Sequence, residues 1–239
     1  MADAADAIGV TEISRRLGHT KARVHRHLVT LRSLGFVQKD VATDGYRLSW
    51  KIYRLGMAVA ESFNLHRLAR RHLATLRTET GHNVLLAGAT DGGATILDTL
   101  VGLHDYVITV RPGTFIDDEK SSTLVRVIRA FGERSGVQSE TASPNPAPNT
   151  GAWIRKYWHD MALNERAVGF GTLACPIFDA SDKIVGAITI SGPIKDFSGP
   201  RLVSLVKKVK RVAMDISAEI HSTTWARGPS DAAPWTADQ

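Results

Sequence analysis

The chain has 239 residues, 43% hydrophobic and 23% charged, the composition of a globular protein with one large domain or two small ones. A single cysteine, Cys175, excludes an intrachain disulfide, and no Cys/His spacing of the structural-zinc kind occurs. The net charge of +6 is unevenly placed: residues 11–39 hold seven Lys/Arg against one acid, Glu12, while residues 81–199 hold ten basic residues against thirteen acidic ones. A basic head on a mildly acidic body is the asymmetry of a nucleic-acid reader with a second task. No apolar run approaches the ~18 residues of a membrane span, and residues 1–10 lack the pattern of a signal peptide. The expectation is a soluble, cytoplasmic protein without a membrane partner or cofactor.

In chain order, residues 11–17 place Ile13 and Leu17 on one face, with Thr11 in position to cap a short helix that Gly18 ends. Thr20 can cap a second helix running to about Ser33, with Val24, Leu28 and Leu31 as its apolar stripe. Two short helices broken at a glycine form a helix-turn-helix. Gly35 closes the pair, and residues 36–40 and 46–48 flank Asp44-Gly45, a hairpin turn signal that makes a wing.

Residues 51–63 read as a connecting helix with Ile52, Leu55, Val59 and Phe63 on one face, an apolar stripe expected to pack on a second copy of the chain. A further helix covers residues 66–80 and stops at Gly81. The period then changes. Residues 83–87, 94–98 and 106–110 read as antiparallel strands, 124–131 as a helix, and 132–150, with Pro144, Pro146 and Pro148, as an exposed loop. Residues 152–164 read as a helix, 170–178 and 184–191 as strands, 200–221 as a helix with Leu202, Leu205, Val209, Val212 and Ile216 on one face, and 226–239 as a mobile tail.

Residues 9–31, GVTEISRRLGHTKARVHRHLVTL, with GFV at 35–37 and GYRL at 45–48, resemble the winged helix-turn-helix of IclR-type transcriptional regulators. RPGT at 111–114, PIFDA at 176–180 and IVGAITISGP at 184–193 resemble that family's effector domain. The resemblance spans about residues 9–222 in the expected order. It implies an α+β protein: a winged helix-turn-helix (1–49), a linker helix (50–65), an effector-binding and oligomerisation domain (66–225) with a GAF-like curved antiparallel sheet and flanking helices, and a tail (226–239). It also implies double-stranded operator DNA as partner, a small-molecule effector such as an aromatic or aliphatic carboxylate, and a homodimer or dimer of dimers. The expected output is control of a catabolic operon, as a repressor.

Three departures from the family pattern stand out. Few residues precede Gly9 where the family has a full helix, so either Met1 is an internal methionine of a longer chain or that helix is lost. Residues 116–125 replace the family's usual pocket-rim sequence. The family's usual cysteine position is Thr172 here, while Cys175 sits directly before Pro176.

The second helix of a helix-turn-helix enters the major groove with its N-terminal residues near base edges. Lys21, Ala22, His25 and Arg26 lie away from the apolar stripe and are the candidate base readers, behind the cap Thr20. Arg26 is suited to bidentate contact with guanine. Arg23 and Arg32 suit phosphate, and Arg47 in the wing suits the backbone or minor groove. His25 and His27 as a metal pair lack further ligands.

In the effector domain, strand parity puts Ala187, Thr189 and Ser191 on one face, with Ile184, Ile188 and Ile190 on the other. By the same parity Thr172 and Ala174 share a face, as do Leu85 and Ala87. Ser121 and Ser122 fall at a helix start, where free N–H groups favour an anion. With Cys175, these residues are the candidate effector site. Acids 117–119 at its rim disfavour a carboxylate or favour a neutral or cationic ligand.

Two alternatives remain open at the sequence level: a sensor module without operator binding, and a hydrolase using Cys175. Residues 169–174 fit G-x-G-x-x-A, yet lie in a strand followed by another strand, so no helix N-terminus is available for a pyrophosphate.

Overall fold

Helix α1 (Val10–Leu17) is capped two residues earlier than expected: Gly9, not Thr11, is its N-cap, with no side-chain cap, and Thr11 lies inside the first turn. Gly18 ends it in the left-handed conformation, φ 63°. Thr20 then caps α2 (Lys21–Ser33), its hydroxyl accepting from the Arg23 N–H at 3.4 Å. Strands β1 (Val37–Lys39) and β2 (Tyr46–Leu48) pair antiparallel as the wing, and Ile8 bridges Tyr46 on the outer edge of β2. The small core joins Val24, Leu28, Val37 and Tyr46, with Val10 and Ile13 against it. Leu31 stays 38% exposed, so the apolar stripe of α2 ends one turn earlier than its spacing predicts.

The computed structural model describes residues 7–62, 65–103, 110–117, 122–132, 150–165 and 167–228. It divides into two compact units, Met1–Phe63 and Asn64–Gln239. Helix α3 (Trp50–Ser62) closes the first unit and leaves Trp50, Tyr53 and Leu55 exposed. The strand expected over 106–110 lies outside the described residues apart from Val110, as do residues 133–149 of the loop expected over 132–150 and residues 229–239 of the tail expected over 226–239.

The second unit starts with α4 (Leu65–Thr80) and is built on one six-stranded antiparallel sheet. Its strands are β3 (Asn83–Thr90), β4 (Gly93–Leu100), β5 (Phe115–Asp117), β6 (Asp160–Leu163), β7 (Phe170–Phe178) and β8 (Ile184–Pro193), in the order β5-β4-β3-β8-β7-β6. Strands β5 and β6 were not anticipated from the sequence.

Helices cover both faces of the sheet. On one, α4 and α7 (Gly199–Glu219) bury Leu73, Leu76, Val209 and Ile216 against Val84, Leu86, Leu173, Ile188 and Ile190. On the other, α5 (Thr123–Phe131) and α6 (Gly151–Tyr157) pack Val125, Ile128, Trp153 and Ile154 with Leu85, Ala87, Ala174 and Ala187. Strand parity makes this division: successive residues point to opposite faces, so one strand serves both cores.

The helix expected over 152–164 is shorter. It ends at Tyr157 because Trp158 turns left-handed, φ 56°, a rare state for so bulky a residue. Here the ring is held against Phe178 at 5.1 Å and Trp225 at 4.8 Å. The chain then becomes β6, whose Asp160 is fully buried beneath Arg126, Nε to Oδ2 2.6 Å. Local helical pattern gives way to this tertiary pairing.

Candidate nucleic-acid interface and small-molecule face

Burial of Val24 and Leu28 fixes the rotation of α2, and the opposite side carries the basic residues. Thr20, Lys21, Ala22, Arg23, His25, Arg26, Arg32 and Arg47 are all exposed. Lys21, Ala22, His25 and Arg26 share an open hollow with Val10 of α1, so the four expected readers do converge. A helix carrying these groups over its first two turns is shaped for base edges and phosphates. Arg47 stands apart on the wing, its guanidinium 3.8 Å from the Asp40 carboxylate.

Two features of this head lay outside the sequence reading. Glu12 accepts from Arg15 Nε and Nη2, at 2.9 and 2.7 Å, and from Arg16 Nε at 2.7 Å. Hydrogen bonds from Arg15 and then Arg16 hold its carboxyl down at about 2. The i, i+3 and i, i+4 spacing carried this signal. Asp40 organises the wing tip by accepting from Ala42 and Thr43 N–H and from the Thr43 hydroxyl.

In the second unit the expected hydroxyl face exists. The β3–β8 register sets Asn83 against Ser191, Leu85 against Thr189 and Ala87 against Ala187; the β7–β8 register sets Thr172 against Ser191 and Ala174 against Thr189. Leu85, Ala87, Thr172, Ala174, Ala187, Thr189 and Ser191 therefore line one face, the one under α5. Ser122 is the N-cap of α5, accepting from Val125 N–H at 3.3 Å, and Thr123 reaches Thr172 Oγ1 at 3.3 Å. Thr189 is 5% exposed, and its Oγ1 is buried with no hydrogen-bond partner among the described residues. Ser121 lies outside the described residues.

Three expectations are corrected. Cys175 belongs to the opposite face, in the core with α4 and α7, because it is one residue out of phase with Ala174. Full burial pushes its thiol up to about 12, far from a nucleophile's range. Ile184 packs on the α5–α6 side, while Ile188 and Ile190 face α4 and α7. The register shift between Ile177 and Phe178, whose partners are Gly186 and Ile184, inserts Val185 as an extra residue and reverses the parity beyond it. Asp117 pairs with Gly93 at the far end of β4 from Thr99, which stands opposite Leu85, so it does not border the hydroxyls. Residues 118 and 119 lie outside the described set.

Sequence reasoning also missed Asn83 and Thr123, which complete the polar wall, and the ion cluster centred on buried Asp160. Arg126, one turn after Thr123, bonds Asp160 at 2.6 Å and also Glu165. Burial drives the Asp160 carboxyl up to about 6 against the pull of Arg126. Among the described residues no cluster of side chains suits a metal ion, and no helix is long and apolar enough to cross a membrane.

Comparison with known proteins agrees with both halves. Residues 1–41 match the IclR helix-turn-helix domain and residues 153–218 the bacterial transcriptional regulator IclR C-terminal domain. The HTH-type transcriptional regulator KdgR of Escherichia coli (strain K12) is 27% identical over 233 residues, covering 89% of this chain and 86% of that protein. The transcriptional repressor IclR of the same organism is 22% identical, covering 91% and 84%. Among solved structures, a putative IclR transcriptional regulator from Silicibacter sp. TM1040 shares the fold with a TM-score of 0.76 at 17% identity, covering 95% of this chain and 92% of its own.

Proposed function

We propose that this chain, an IclR-type transcriptional regulator, represses a catabolic operon and is released or retuned by a small carboxylate bound under α5. The family's regulators bind operator DNA and are not enzymes, which removes the hydrolase alternative. In the proposed complex α2 enters the major groove, Arg26 and Lys21 read base edges with Ala22 and His25 beside them, Arg23 and Arg32 neutralise phosphates, and Arg47 follows from the wing. Names of relatives support the repressor reading: the YiaJ protein of Escherichia coli is a DNA-binding transcriptional repressor, and a Salmonella typhimurium relative is the acetate operon repressor.

The observation that carries the effector reading is the buried Thr189 hydroxyl, without a partner among the described residues, since a native protein rarely leaves such a group unsatisfied. Its neighbours share one property. Ser122 Oγ accepts from Val125, Thr172 Oγ1 from Thr123 and Ser191 Oγ from Asn83. Each of these hydroxyls has used an acceptor lone pair and keeps its own proton to give. Ser122, Thr172, Thr189 and Ser191 thus form a set of neutral donors at the N-terminus of α5, where the helix dipole favours negative charge. A small molecule rich in acceptors and negatively charged, a carboxylate, suits such a set. Exposed Trp50 and Tyr53 on α3, edge to face at 5.6 Å, supply an apolar surface for a homodimer, with a dimer of dimers built on it.

The test is DNA binding to the region upstream of the protein's own gene, at two salt concentrations, with and without a panel of small carboxylates. A specific complex whose log K falls with log salt at about −0.9 per phosphate contacted is expected, and Arg26→Ala should abolish it. Operator binding by Arg26→Ala equal to wild type would sink the assignment of α2. Carboxylate binding without any specific DNA complex would support a sensor module that does not bind an operator.

A further inference from the structure

The first residue of β3, Asn83, was absent from the sequence-level site, yet it lies in the same row as the hydroxyls. It is 2% exposed, faces Ser191 across the ladder, and precedes Leu85, which faces Thr189. Its amide cannot turn over. The Gly102 N–H meets its Oδ1 at 2.7 Å, and a backbone N–H only donates, so the atom it meets must be the oxygen and the NH2 must point the other way. Gly102 itself is held in place: a Cβ there would lie 2.6 Å from the Gly81 carbonyl oxygen and 2.8 Å from the Asn83 nitrogen. The next residue is also tied, Leu103 N–H to Gly81 O at 2.8 Å.

The amide nitrogen consequently faces Ser191, whose Oγ is 3.5 Å away, a long contact for a hydrogen bond. The NH2 carries two hydrogens, and this is its one hydrogen bond among the described residues. The other four donors of the wall are hydroxyls that rotate to suit any partner. Asn83 differs in being a planar donor locked in direction.

We propose that Asn83 is a further effector-binding residue, whose Gly102-locked amide donates to the ligand carboxylate and sets its orientation. The inference rests on the carboxylate reading above. It also gives the ligand a handle on α4, because Asn83 follows the Gly81 terminus of that helix by two residues.

The experiment measures binding of pyruvate, 2-oxoglutarate and benzoate to the full chain by calorimetry and thermal shift. Wild type is compared with Asn83→Asp, Asn83→Ser and Thr189→Val. Asn83→Asp keeps the oxygen that Gly102 needs and replaces the donor with a repelling carboxylate. Its affinity should drop by about tenfold or more at about pH 8, the loss of a hydrogen bond to a charged group. It should recover toward about pH 5, because burial at this position raises the introduced carboxyl, so that a protonated Asp donates again while pyruvate remains ionised. Asn83→Ser, which places no charge in the buried position and whose folding the thermal shift checks, should lose a similar factor with no recovery at low pH. Wild-type affinity in both Asn83 variants, with binding lost in Thr189→Val, would overturn the role of Asn83 and leave the carboxylate reading standing. Absence of any carboxylate binding to wild type would overturn both.

Discussion

His159 and Asp160 are adjacent in the chain, both fully buried, and titrate in opposite senses. Burial lowers His159 from its usual value to about 4, with Nδ1 bonded to the Tyr157 carbonyl at 2.9 Å, while burial raises Asp160 to about 6. Between about pH 4 and 6 the unfolded chain holds a proton on His159 that the folded chain lacks, so this residue makes stability rise with pH. Over the same window the folded chain holds a proton on Asp160 that the unfolded chain lacks, so that residue makes stability fall. Each slope is about 1.4 kcal/mol per pH unit at most, and the two offset. Denaturant titrations of wild type should be nearly flat here. Asp160→Asn should become more stable with rising pH, and His159→Phe less stable. Equal slopes for both variants would show that the pair does not titrate in this way.

Cys175 should ignore thiol reagents in the folded state. Its side chain is inaccessible and its thiol is pushed up to about 12, so both access and thiolate are lacking. Labelling with Ellman's reagent should be complete in denaturant and negligible without it. Native labelling at the rate of an exposed thiol would contradict the placement of Cys175 behind the sheet.

Thr20→Ala removes the hydroxyl that caps α2. The bond to Arg23 N–H is long, 3.4 Å, so the cost should lie at the low end of the ~0.5–2 kcal/mol range for such caps. Thr20→Ser should restore it. The loss should be read from chemical denaturation followed by helical signal, and a variant indistinguishable from wild type would show that the cap contributes nothing.

Legibility in the sequence followed the physics of each element. The hydroxyl face could be read because period-two alternation survives over 187–191 and 172–174, and the registers then align the three strands. Ile184 was misread because the extra residue Val185 leaves no mark in composition. Cys175 is one residue out of phase with Ala174, so parity alone points it away from the candidate site. The break of α6 at Trp158 depends on aromatic neighbours from β7 and the C-terminal turn, all distant in sequence. Asn83 was invisible for a similar reason: its orientation is set by Gly102, nineteen positions on. In the DNA-binding head the helix pair, wing and basic face were all local patterns. Leu31 departs from its stripe because the small core is already filled by Val37 and Tyr46.

Two strand glycines on β3 and β8 separate a close approach from spare room. At Gly192 a Cβ would overlap the His82 ring, and that ring cannot retreat. Its Nδ1 is 2.7 Å from the Thr80 carbonyl, its Nε2 3.4 Å from Asp196, and its edge lies against Phe197 with centroids 5.5 Å apart. At Gly88 the nearest atoms to a Cβ would be those of the Leu97 side chain, from 3.3 Å, which can adjust. Gly192→Ala should cost about 1–3 kcal/mol or more as overpacking, and a fall in Tm of several degrees at about 2–4 °C per kcal/mol for a unit of this size. Gly88→Ala should be neutral or slightly stabilising, since alanine loses less backbone entropy on folding. Thermal melts of the two variants side by side test this, and a Gly192→Ala protein as stable as Gly88→Ala would mean that His82 is not fixed against β8.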